Sequence, residues 1–117
     1  MRLDHVQLAI PPGTEAVQRA FWCDLLGFEE EPKPCVLAAR GGLWLRHGDV
    51  RLHLGVEPDH RPARKAHPAF AVAALDGLAR DLDAAGHGVT WDATIPDLRR
   101  FFADDPSGNR LEFLETS

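Results

Sequence analysis

The chain is poor in cysteine, lacks an excess of positive charge, and has no long apolar run. Only two cysteines, Cys23 and Cys35, occur among its 117 residues. One falls on an expected helix and the other near an expected strand start. Without metal-ligand spacing between them, they read as free thiols in a reducing compartment. The formal net charge is −5, which argues against nucleic acid or an anionic membrane surface as a partner. No apolar stretch approaches the roughly 20 residues of a membrane span. The opening segment MRLDHVQLAI enters a strand directly and carries no basic, apolar or small-residue signal regions. The expectation is a cytoplasmic protein whose partner is a small molecule.

The chain does have internal repetition. Val50-Arg51-Leu52-His53-Leu54 reads like Asn109-Arg110-Leu111-Glu112-Phe113, and Asp4-His5-Val6-Gln7-Leu8 has an echo in Ala66-His67-Pro68-Ala69-Phe70. At 117 residues and 44% apolar, the chain has one domain's worth of core and too little for two independent ones. The expectation is therefore one domain over 1–117, with module one at about 1–57, a linker at about 58–65 and module two at about 66–117. The linker stretch is polar and holds two prolines, Pro58 and Pro62.

Each half has the same expected order. Residues 3–10 alternate, with Val6, Leu8 and Ile10 opposite His5, Gln7 and Ala9, as in a half-buried strand. Pro11-Pro12-Gly13 ends it, and Thr14 is placed to cap a helix whose stripe is Val17, Ala20, Phe21 and Leu25, with Gly27 as the stop. Trp22 is expected to support that helix. Strands are expected at about 35–39, 42–46 and 50–56, separated by glycine turns. The second half repeats this with a strand at 67–72 and a helix from about Asp76 to Ala85. Strands at 88–91, 99–103 and 109–115 complete it. Asp105-Pro106-Ser107-Gly108-Asn109 supplies the last tight turn. The fold class is α+β, two βαβββ modules forming a cupped mixed sheet.

The two faces of the strands differ in chemistry. If the large aliphatics pack on the helices, then His5, His53, His67 and Glu112 share the opposite face. Ala9, Ala69 and Ala71 leave room there. Trp44 and Phe101 are assigned to that face as pocket walls. Arg64, with Arg61 and Lys65, precedes His67 and could meet an anionic group. Arg51 and Arg110 fall on the same face, nearer the strand starts. His47, His60 and His87 are assigned to solvent.

In three segments the chain resembles the vicinal oxygen chelate superfamily, which includes glyoxalases, bleomycin-resistance proteins and dioxygenases. These are Leu3-Asp4-His5-Val6, Phe21-Trp22-Cys23-Asp24-Leu25-Leu26-Gly27-Phe28, and Asp105 through Glu112. The resemblance implies paired βαβββ modules in a homodimer with sites shared between subunits. It also implies a divalent metal on His5, His53, His67 and Glu112, with Glu112 the candidate catalytic base. Zinc, nickel, manganese and iron all accept imidazole with carboxylate. Glyoxalase I-like relatives carry a carboxylate where this chain has His53, which sets their isomerisation apart. Two functions follow as expectations. One is a metal-dependent enzyme using Lewis-acid catalysis on an oxygen-rich substrate. The other is a metal-free, bleomycin-resistance-like dimer that sequesters a drug or metabolite.

Overall fold

The computed structural model describes residues 1–116. The contact pattern divides the chain into Met1–Arg61 and Pro62–Ser117. Each unit carries one four-stranded mixed sheet. The architecture is α+β with two βαβββ modules.

In the first unit the strands are β1 (Val6–Ile10), β2 (Glu29–Glu31), β3 (Leu43–His47) and β4 (Val50–Val56), in the order β1-β4-β3-β2. β1 runs parallel to β4, and the other pairings are antiparallel. Two short helices, α1 (Glu15–Gln18) and α2 (Cys35–Ala38), lie between strands. The expected strand at 35–39 is thus the helix α2, and the outer strand is the acidic Glu29-Glu30-Glu31 instead. Pro34 directly before Cys35 favours the first turn of a helix, where its missing N–H costs nothing.

The first long helix also departs from expectation. After α1 the backbone widens into a π-helical segment, Arg19–Leu25, with Leu26 N–H donating to Phe21 O at 3.0 Å. Five-residue hydrogen bonding shifts the phase of the stripe. Gln18, Phe21 and Trp22 are buried, while Val17 is 51% exposed. Trp22 sits edge-on to Phe21 and Phe28, at 5.1 and 5.3 Å between ring centroids. Thr14 does not cap through its side chain; its hydroxyl donates to Pro11 O at 2.8 Å. Leu43, Leu45, Leu52 and Leu54 complete this core, each worth about 1.5–3 kcal/mol by burial.

In the second unit the strands are β5 (Ala69–Val72), β6 (Thr90–Asp92), β7 (Arg100–Asp104) and β8 (Arg110–Glu115), ordered β5-β8-β7-β6. The helix α3 (Leu75–Ala84) buries Leu75, Ala79 and Leu82. Facing them in the core are Phe101, Ala103, Leu111 and Phe113. The turn before β8 is tied down by Asp105, whose carboxylate accepts from the Ser107 and Asn109 backbone N–H groups at 2.8 Å. That turn fixes the β7–β8 register and hence which β8 side chains face away from the core.

Candidate functional site

In the first unit the ligand-type residues form a stack. β1 and β4 pair Gln7 with His53, and β3 and β4 pair Trp44 with His53. His5 lies just ahead of β1. The His53 ring is sandwiched between the other two, with centroids 4.0 Å from His5 and 4.2 Å from Trp44. The Trp44 and His53 planes differ by 7°, so Trp44 is on the expected face. His5 Nδ1 is 2.9 Å from Asp4 Oδ2, which leaves Nε2 as the free ring nitrogen. Burial, and secondarily the charge of His5, lowers the pKa of His53. A neutral ring suits its place between two other rings.

In the second unit His67 and Glu112 are joined. His67 Nδ1 is 2.8 Å from Lys65 O and its Nε2 is 2.9 Å from Glu112 Oε1. Glu112 pairs with Ala69 on one side and Phe102 on the other. It is buried to 6% exposure, and the small Ala69 keeps the space beside it open. Arg100 Nη1 reaches the other carboxylate oxygen, Oε2, at 3.4 Å, and Arg100 Nη2 reaches Asp92 Oδ1 at 3.5 Å.

Phe101 is not on this face. It is 0% exposed and pairs with Phe113 in the core. The wall of the face is Phe102, whose ring meets His67 edge-on at 5.4 Å. Two adjacent phenylalanines satisfy either parity of the alternation, and the register sets Phe102 opposite Glu112. Arg100 and Phe102 escape the sequence reading for that reason, whereas Arg110 falls on the expected face without a role; the β7–β8 register places all three beside Glu112. Arg64 is exposed. His60, expected in solvent, has a side chain only 5% exposed, with Nδ1 3.8 Å from Glu57 Oε1.

The four expected ligands therefore occur as two pairs, one in each unit. Among the described residues, no group of three or more His, Cys, Asp and Glu side chains is arranged to hold a metal ion. A cavity of about 270 Å³ in the first unit, lined by Gly27, Glu29, Arg46, His47 and Gly48, involves none of the four. No helix among the described residues is long and apolar enough to cross a membrane.

The sequence profile of the Glyoxalase/Bleomycin resistance protein/Dioxygenase superfamily matches residues 2–113. The chain belongs to this superfamily. It is 44% identical to a glyoxalase family protein from Bacillus anthracis, with a TM-score of 0.93 over 100% of this chain and 96% of that one. A genomically encoded fosfomycin resistance protein from Listeria monocytogenes superposes at a TM-score of 0.80 and 13% identity, covering 100% and 94% of the two chains. An antibiotic binding protein from a Streptomyces species superposes at 0.72 and 21% identity, covering 100% and 99%. At such identities the likeness to the last two speaks for the fold alone. No curated protein matches the chain. The superfamily's fold is thus present in full, and its chemistry has to be argued from the pairs themselves.

Proposed function

We propose that this glyoxalase-superfamily protein is a divalent-metal-dependent enzyme acting on a small oxygen-rich substrate. His5, His67 and Glu112 are its ligands, with His53 stacked beside His5. One observation carries the reading. His67 Nδ1 has an acceptor in Lys65 O, so in the neutral ring Nε2 presents a lone pair to the Glu112 carboxylate, 2.9 Å away. Two lone pairs at that distance repel unless a proton or a cation lies between them. A divalent ion would be held there by His67 Nε2 and Glu112 Oε1 and would supply the positive charge between them. The anchoring of the far ring nitrogen on a carbonyl is the support that ligating histidines ordinarily have.

A bound divalent ion supplies Lewis-acid polarisation of a carbonyl or of two neighbouring oxygens. The chain does the rest. Arg100 Nη1 lies 3.4 Å from Oε2 of Glu112, which orients Oε1 toward His67. Glu112 is then placed to accept a proton from substrate. Trp44 stacks on the face of His53 opposite His5. The proposed unit is a homodimer in a reducing compartment such as the cytoplasm, in keeping with the free thiols of Cys23 and Cys35.

Elemental mass spectrometry on tag-free protein, chelated and then reloaded, tests this reading. The expected result is about one ion per chain, with affinity reduced about ten-fold or more in His67→Ala and Glu112→Ala. His5→Ala tests the third ligand in the same way. Failure of the wild type to take up zinc, nickel, manganese or ferrous iron overturns the proposal.

The second reading is a metal-free binder of a flat, cationic molecule. It is favoured by the parallel His5–His53–Trp44 rings on a chain of net charge −5. A binder of this kind keeps its ligand in His67→Ala, whereas the enzyme loses both ion and turnover.

A further inference from the structure

Arg110 and Phe102 form a contact that the metal reading does not use. On the antiparallel β7–β8 ladder, Phe102 pairs with Glu112 and Asp104 pairs with Arg110. Side chains directly opposite each other share a face, as do those two apart on one strand. Phe102, Asp104, Arg110 and Glu112 are therefore on one face, with Arg110 about 7 Å along β8 from Glu112.

The two arginines of this face are in different situations. Arg100 is committed, being 3.4 Å from Glu112 Oε2 and 3.5 Å from Asp92 Oδ1. Arg110 forms no ion pair among the described residues, even though Asp104 stands directly across the ladder. Its guanidinium lies over the Phe102 ring, 4.0 Å from the centroid, closer than that of Arg100 at 5.2 Å. That ring also meets the edge of His67. A guanidinium stacked on an aromatic face keeps its charge and its in-plane N–H donors while losing rotational freedom. It is pre-positioned and half-buried.

We propose that Arg110, held on Phe102, is the oxyanion-recognition residue of this face and binds a carboxylate- or phosphate-type group of the substrate. As a substrate assignment this rests on the proposed His67–Glu112 site, since it places the anionic group next to that pair. It reassigns to Arg110 the role that the sequence suggested for Arg64. A planar fork of N–H donors matches two oxygens of such a group at once, which a lysine ammonium does not. The carboxylates of Glu112 and Asp92 are partnered by Arg100, so the remaining negative charge nearby is Asp104.

The test is nuclear magnetic resonance of isotope-labelled protein, following the Arg110 side-chain Nε–H signal during titration with acetate, inorganic phosphate and uncharged acetamide. Each titration is run on chelated and on zinc-loaded protein, with zinc content measured on the same samples. The expected result is a saturable shift with both anions and none with acetamide. Affinity should fall at least about ten-fold in Arg110→Gln and remain unchanged in Arg51→Gln, which removes the same charge from the other unit. Should Arg110→Gln not fold, Arg110→Lys takes its place, and a loss of about three-fold or more is expected because the charge is kept without the fork. Equal weakening in the Arg110 and Arg51 variants, or no saturable shift in the wild type, overturns the proposal. Absence of zinc uptake with anion binding intact overturns the metal reading and leaves Arg110 as the anion site of a binding protein.

Discussion

Phe101 and Phe102 are adjacent in the chain and face opposite sides of the same sheet. Phe101 pairs with Phe113 in the core and Phe102 pairs with Glu112 on the ligand face. Truncating each therefore has a different consequence. Phe101→Ala leaves a cavity beside Trp91 and Phe113 and should destabilise the protein by about 3–5 kcal/mol. Phe102→Ala, at a half-buried position, should cost less stability. It should also release the Arg110 guanidinium and abolish the anion response. Urea unfolding together with the anion titration checks both. Comparable stability losses in the two variants would contradict the register described here.

Glu15 makes a second relationship with a pH signature. Its Oε2 accepts from the Gly42 backbone N–H at 2.8 Å, and that hydrogen bond is the main cause of its lowered pKa. A carboxylate with a folded pKa below its unfolded value adds stability above the unfolded value. That stability is lost as pH falls through the folded one. Glu15→Gln should lower stability near neutral pH and show a shallower loss between about pH 5 and 3. Thermal unfolding across that range reads the difference, and parallel curves for wild type and variant would show that the bond contributes nothing to folding.

Gly42 itself is constrained on two counts. Its φ is +83°, and a Cβ there would stand 2.1 Å from Leu54 O. Because the obstacle is backbone of the neighbouring strand, it cannot move aside cheaply. Gly42→Ala should destabilise by about 2–4 kcal/mol, and denaturant midpoints measure it. The same substitution at Gly48, where a Cβ would meet nothing within 4 Å, should cost less, since only the positive φ opposes it.

The contrast between β8 and the π-helical segment shows where the sequence is legible. Arg110 to Phe113 alternates after a turn rich in proline, glycine and aspartate, so Glu112 is assigned to its face without coordinates. In Arg19–Leu25 π-helical hydrogen bonding places the buried stripe at Gln18, Phe21 and Trp22. Nothing in an apolar pattern reports that local widening. Likewise Cys35-Val36-Leu37-Ala38 is apolar enough for a strand, and Pro34 tips it into a helical turn.

The sequence by itself determined the repeated order of elements, the superfamily, and the residue types available for chemistry. These depend on local periodicity and on turn residues, which act over a few positions. Only the tertiary structure decided that His67 meets Glu112, 45 residues away, while His53 is enclosed between His5 and Trp44. It also decided that Phe102 rather than Phe101 faces Glu112 and carries the Arg110 guanidinium. Such relationships depend on strand register, where a shift of one residue exchanges the core face for the open face.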